Sequence, residues 1–153
     1  RLLRSRLLRR QMSVASLDPV SLDEVKALLA ASELPVSDLT AQVRFLGERL
    51  DGQLVGVVGL EARGEVALLR SLAVAATHRG GGLGSELVAA VERLASQEGI
   101  LDLYLLTTTA ETWFARRGYR RLPREAAPDG IRSTAEFSSI CPASSAFMRK
   151  ALA

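Results

Sequence analysis

The sequence predicts an α/β fold with a mixed, mostly antiparallel central sheet flanked by helices. Three observations predict it. The chain reads strand, helix, three strands, helix, strand, helix, strand, so strand and helix periods interleave. Asp51-Gly52 and Arg63-Gly64 separate apolar runs, which predicts two tight hairpins and three consecutive antiparallel strands. A glycine-rich turn and an apolar helix follow the third of these strands. The strand after that crossover should lie parallel to its partner.

The elements follow in order. Ser13 to Leu17 is a short strand, broken by Asp18-Pro19. Ser21 and Glu24 have the spacing of a capping box, and Val25, Leu28 and Leu29 give helical spacing through Ala31. Leu34-Pro35 ends that unit, and Ser37-Asp38 starts a second short helix near Leu39. Arg44 to Leu50, Gln53 to Glu61 and Val66 to Val74 are the three hairpin-linked strands. The third is apolar except for Arg70 and Ser71, so it should be central and buried. Leu83, Leu87, Val88, Val91, Leu94 and Ala95 share one face of a helix from Gly82 to Glu98, closed by Gly99. Leu101 to Leu106 is a strand. Ala110 to Arg117 is a helix closed by Gly118, and Tyr119 to Leu122 resumes as a strand. Asp129 caps a short helix to Phe137, and Ser145 to Leu152 is the last strand.

Composition bounds the function. The 153 residues suit one domain with one core. No apolar run approaches the roughly 18–20 residues of a membrane span. One cysteine, Cys141, makes no internal disulfide, and with the single histidine, His78, it makes no zinc site. A cytoplasmic location without membrane attachment is expected. The net charge of +3 is carried by residues 1–11, which hold five arginines and no acid. Without them, 15 basic residues face 17 acidic ones, or −2. We therefore expect no nucleic-acid surface. Residues 1–11 read as a poorly ordered basic extension, and 12–153 as a single domain.

The stretch from Leu72 to Val88 joins a buried strand to a helix through four glycines. Glycines let the backbone approach a ligand, and the first helical turn offers N–H groups and partial positive charge. A diphosphate suits such a junction. No Gly-Lys pair is present for a nucleotide-triphosphatase loop. From Gly80 or Gly82 the third glycine of a dinucleotide fingerprint falls on Ser85 or Leu87, so that fingerprint fails as well. Arg79-x-x-Gly82-x-Gly84 does fit. It resembles the acyl-coenzyme A signature of the GCN5-related N-acetyltransferase (GNAT) superfamily. Ala110-Glu111-Thr112-Trp113-Phe114-Ala115-Arg116-Arg117-Gly118-Tyr119 resembles that superfamily's second signature. The segments 67–74, 103–110 and 136–142 are similar to acetyltransferases encoded with bacterial arsenic-resistance genes. Those in turn are similar to enzymes that acetylate the amine of phosphinic or arsinic amino-acid antibiotics.

The resemblance implies acetyl transfer from acetyl-coenzyme A, with no metal, to the primary amine of a small amino-acid-like compound. Members often dimerise, so a homodimer is one expectation. The backbone of Leu72, Ala73 and Val74 would bond the pantetheine. The N–H groups of Gly80, Gly82, Leu83, Gly84 and Ser85 would hold the diphosphate, with Arg79 adding charge or bracing the loop. An N–H near Leu72 would stabilise the oxyanion, an effect of about 3 kcal/mol in other enzymes. Phe114 stands where many members place the tyrosine that protonates the leaving thiolate, so Phe114 contributes cofactor contact only. Tyr104, Tyr119 or water would replace that acid. Glu61 is the candidate base, or else a partner of Arg70 or Arg63. Arg70 either pairs with Glu61 or Glu65 or anchors an anionic acceptor. Arg132 and Thr134 would meet an acidic acceptor group, or else form a solvated face. Cys141 reads as a buried structural thiol and His78 as an exposed or capping residue. Two other functions stay open: acetylation of a peptide or protein amine, and a non-catalytic acyl-coenzyme A sensor.

Overall fold

The computed structural model describes residues 14–17, 21–36, 39, 43–140 and 144–152. Residues 1–11, Asp18-Pro19, the helix start at Ser37-Asp38, and Cys141 lie outside the described residues. The strands are β1 (Val14–Ser16), β2 (Val43–Leu50), β3 (Gln53–Arg63), β4 (Val66–Val74), β5 (Asp102–Thr107), β6 (Arg120–Arg121) and β7 (Ala146–Ala151). The helices are α1 (Leu22–Ala31), α2 (Leu83–Gln97), α3 (Glu111–Ala115) and α4 (Asp129–Arg132). One seven-stranded sheet has the order β1-β2-β3-β4-β5-β7-β6. Among the described residues only β4 and β5 run parallel. The mixed, mostly antiparallel sheet expected from the sequence is therefore the observed one.

The local chemistry explains the elements. Asp51 and Gly52 both have positive φ, 53° and 80°, and Leu50 pairs with Gln53. A two-residue hairpin whose twist matches its strands needs that geometry. The second hairpin turns at Gly64 (φ 69°) and Glu65, because Arg63 already pairs with Val66. Helix α2 buries Leu83, Leu87, Val88, Ala90, Val91 and Ala95. It covers one sheet face together with Val58, Leu60, Leu69, Leu103 and Leu105. On the other face α1 packs Val25 and Leu29 against Phe45, Val57 and Ala73. Further along that face Ala127 and Ile131 cover Leu68, Tyr104 and Phe147. A gap between these two covers leaves part of the second face for a ligand.

Some boundaries differ from expectation. Ser21 makes no side-chain capping bond. Arg49 of β2 takes the Ser21 hydroxyl at 2.7 Å and both Glu24 oxygens at 2.8 Å. A long-range guanidinium thus outcompetes the local capping box. Helix α3 is shorter than expected, and so is β6. Asp129 is the first residue of α4, not its cap, which is Pro128. The expected helix to Phe137 breaks after Arg132, and a π-helical turn spans Glu136–Ile140. The Thr134 hydroxyl causes that break: it donates to the Ile131 carbonyl at 2.7 Å and accepts from the Phe137 N–H at 3.3 Å.

Tyr119, just before β6, and Lys150 of β7 are both tied to α2 through Glu92. The Tyr119 hydroxyl donates to Glu92 at 2.9 Å, and Lys150 holds the same carboxylate at 3.1 Å. Burial, then the Glu92 charge, pushes the Tyr119 phenol well above its ordinary 10.0. The phenol stays protonated in the fold, while in the unfolded chain it ionises near pH 10. Above that pH the unfolded state binds fewer protons, so stability falls as pH rises. Tyr119→Phe should therefore show a smaller loss of stability between pH 8 and pH 11 than the unsubstituted protein, as read by urea unfolding. Equal losses would show that the phenol does not couple ionisation to folding.

Candidate active site

The cleft exists because two parallel strands part. β4 and β5 pair only from Val66–Asp102 to Leu68–Tyr104. Beyond that, β5 continues along β7 to Thr107, and β4 continues along β3. Between Arg70 and Ala73, β4 carries one residue more than the facing stretch of β3, Val57 to Gly59. That bulge centres on Ser71, whose φ is 59°. A non-glycine residue in this region is uncommon and concentrates at functional sites. A bulge bends its strand and frees part of the ladder. The resulting cleft has a volume of about 1150 Å³ and is walled by residues 69–74, 105–110, 78–80 and 82–85.

At one end stands the glycine loop. A 3₁₀ turn, Ala76–His78, leads into Gly80 (φ 84°) and Gly82 (φ 87°). Gly82 is the N-cap of α2, and the first intrahelical bond is Glu86 N–H to the Gly82 carbonyl, 3.1 Å. The N–H groups of Leu83, Gly84 and Ser85 thus belong to a first turn with no intrahelical acceptor. A Cβ on Gly84 would lie 3.3 Å from the Trp113 ring, so glycine there lets α3 close on α2. Arg79 donates to the Val74 carbonyl at 2.9 Å and to the Ser32 hydroxyl at 3.4 Å. It braces the loop to the end of β4 and still lines the cleft. Leu72, Ala73, Val74 and Phe114 line it too, as do Gly80, Gly82, Leu83, Gly84 and Ser85.

Arg117 is an addition that the sequence reading missed. Its guanidinium lies 3.5 Å from the Trp113 ring centre, donates to the Ser85 hydroxyl at 2.5 and 3.1 Å, and reaches the Trp113 carbonyl at 2.8 Å. Burial, then the neighbouring Arg116 charge, lowers its pKa. The four-residue step from Trp113 to Arg117 was a readable signal.

The opposite end is ionic. Arg70 is wholly buried and lines the cleft. It contacts Glu61 at 3.2 Å, Glu136 at 3.0 Å and the Ser71 hydroxyl at 3.2 Å. Glu61 also accepts from Arg63 at 2.6 Å. So both Glu61 oxygens meet arginines, and Glu61 is not part of the cleft wall. The pairing expected as one alternative for Glu61 and Arg70 is present; Glu65 is not the partner. Arg132 is exposed and bonded to the Glu125 carbonyl at 2.8 Å. Thr134 is fully buried in its own turn. Neither lines the cleft, which corrects their expected place against the acceptor. Glu136 and Ser145 do line it. A helix continuing through Thr134 would turn a different face inward, and the π-helical turn is what presents Glu136.

The tyrosines are elsewhere. Tyr104 stacks on Phe147 at 5.5 Å, and burial, then Asp102, raises its pKa. Tyr119 packs on Phe114 and is held by Glu92. Neither lines the cleft. His78 is half-buried at the rim, 2.8 Å from the Thr77 hydroxyl. Among the described residues no cluster of His, Cys, Asp and Glu could hold a metal ion. Among them no helix is long and apolar enough to cross a membrane.

Known proteins share this architecture. An amino-acid acetyltransferase of Pseudomonas putida is 35% identical over 83 residues, covering 53% of this chain and 18% of that protein. An uncharacterised N-acetyltransferase of Chlorobaculum tepidum is 33% identical over 81 residues, 52% of each chain. The N-acetylglutamate synthase of Neisseria gonorrhoeae, solved with coenzyme A and N-acetyl-glutamate, superposes with a TM-score of 0.80 at 24% identity. That match covers 92% of this chain and 35% of the synthase. The chain thus spans less than a fifth of the length of the first of these relatives. The family model described as Acetyltransferase (GNAT) family matches residues 15–122, and the chain belongs to that family.

Proposed function

We propose that this chain transfers an acetyl group from acetyl-coenzyme A to the primary amine of a small amino-acid-like compound. The observation that carries the proposal is the cleft itself. It runs from the unpartnered first turn of α2, through the gap between β4 and β5, to the ionic face that carries Arg70. The residues fit the donor. Two positive-φ glycines and the N–H groups of the α2 first turn suit its diphosphate, and Arg79 and Arg117 place cations beside them. The open edge of β4 at Leu72 to Val74 suits the pantetheine amides. An N–H near Leu72, beside the Ser71 bulge, suits the developing oxyanion.

Bound acetyl-coenzyme A supplies the activated acyl group; the protein orients the amine and removes water. The placement of Glu61 supports bracing of Arg70 rather than proton abstraction. The acceptor class is supported by the names of the amino-acid acetyltransferase relatives and by the C-terminal segment, which brings Glu136 and Ser145 into the wall. That wall favours a small acceptor over a peptide. The finer assignment, a phosphinic or arsinic amino acid, rests on the resemblance of segments 67–74, 103–110 and 136–142.

Thiol release from acetyl-coenzyme A should occur with at least one amine in a panel of amino acids, phosphinothricin and short peptides. Coenzyme A binding without release would favour a sensor, and release with peptides alone a protein acceptor. Gly82→Val places a side chain at φ 87° and in the first turn. Calorimetry should then show coenzyme A affinity weakened at least about tenfold (~1.4 kcal/mol) with unchanged far-ultraviolet dichroism. Unaltered affinity would remove the loop from the donor site. Glu61→Gln should cost about 3 kcal/mol in urea unfolding, the lower end for breaking a buried pair because Glu136 remains. Its pH–rate profile should keep the shape of the unsubstituted protein's. A lost limb in that profile would instead make Glu61 the base.

A further inference from the structure

Ser145 is 4% exposed, lines the cleft, and its Oγ finds no hydrogen-bond partner among the described residues. Buried polar side chains nearly always have one, because an unpaired buried hydroxyl costs stability. The residue stands just before β7, where Ala146 pairs with Thr107 at the end of β5. Side chains alternate along a strand, so Ser145 shares the face of Phe147, which packs with Leu68 and Tyr104. Leu68 and Arg70 lie two apart on β4 and share that face. Arg70 in turn holds Glu136 at 3.0 Å. Ser145 and Glu136 therefore enter the cleft from one side, away from the glycine loop.

The charge there identifies what these oxygens meet. Among the described residues, Arg63 and Arg70 pair with Glu61 and Glu136, two charges of each sign. This end presents a carboxylate and an unpaired hydroxyl. An acceptor carboxylate or phosphinate would bring a negative charge against Glu136 with Arg70 already engaged by two carboxylates. A primary ammonium brings three donors and no acceptor, which needs oxygens.

We propose that Ser145 and Glu136 bind the acceptor's amine, with Ser145 Oγ accepting one of its N–H bonds. This rests on the acetyl-transfer reading above and adds to it the group that positions the nucleophile. The amine is held on the ionic face, and its remaining lone pair, once the ammonium has lost a proton to solvent, is turned toward the gap between β4 and β5. The residue is an acceptor-binding residue and takes no proton itself.

Steady-state kinetics of Ser145→Ala, with L-glutamate and phosphinothricin as amines, test the assignment. The expected result is an amine KM about tenfold higher, the size of one hydrogen bond to a charged group. The KM for acetyl-coenzyme A should stay unchanged. The melting temperature should be unchanged or higher, since the substitution removes an orphaned hydroxyl. Ser145→Thr keeps the oxygen and should retain amine binding. A rise in the acetyl-coenzyme A KM alone, no change in either KM, or a lower melting temperature with unchanged amine KM would overturn the proposal. If the unsubstituted protein acetylates neither amine, the reaction proposed above fails for these acceptors. The Ser145 assignment is then decided by thermal shift of the coenzyme A-loaded protein. An amine-induced shift lost in Ser145→Ala supports it; no shift, or the same shift in both, overturns it.

Discussion

One extra residue in β4 governs this molecule. The bulge at Ser71 lets β4 stay paired with β3 up to Val74 while it leaves β5 after Leu68. β5 is held in place by β7 on its other side. The sheet therefore opens along a single seam without losing its continuity. Everything that touches the cleft is fixed relative to that seam. The glycine loop continues directly from the end of β4, and Arg79 returns to the Val74 carbonyl to keep it there. The strain of a positive φ at a serine is tolerated because the surroundings over-determine it. The Ser71 hydroxyl accepts from Arg70, and Arg70 is itself fixed by two carboxylates.

That ionic group has a second consequence. A buried pair owes its stability to complete partnership, since each charge removed from water must be compensated. Arg70 joins β3, through Glu61, to the turn after α4, through Glu136. It is thus a tie between the hairpin core and the C-terminal segment. The same tie places one of its carboxylates in the cleft wall. Of the two uses that the sequence offers for Arg70, the fold shows the ion pair, and that pair also positions a residue of the cleft wall.

The glycine-loop end of the cleft was legible in the sequence, and the ionic end was not. Glycine at 80 and 82 reports backbone conformation directly, and α2 shows its apolar face in its own spacing. Both are local, so residues 72–85 could be placed from the chain alone. Asp51-Gly52 was legible for the same reason. The errors share a different cause. Ser21 and Glu24 have capping spacing, yet Arg49, 25 or more positions away, captures both. Arg132 and Thr134 stood as the candidates of this segment, because nothing in the spacing shows that Thr134 folds back on Ile131. Ser71 carries no mark of its φ at all.

The same division explains the missing acid. Phe114 keeps the shape of the aromatic wall, packing edge-on to Trp113 and Tyr119 at 4.9 and 5.5 Å. What it lacks is only the hydroxyl. The two phenols in the chain are committed elsewhere, Tyr119 to Glu92 and Tyr104 to its stack on Phe147. Burial raises both of their pKa values and makes them poorer proton donors. A thiolate leaving group is already a weak base compared with an alkoxide or amide, so it can depart with solvent as its only proton source. A phenylalanine at position 114 is then compatible with the proposed transfer. On the proposed reaction the demanding step would be at the amine, which must be bound, deprotonated and aimed, and the C-terminal segment is what brings Glu136 and Ser145 into the cleft wall.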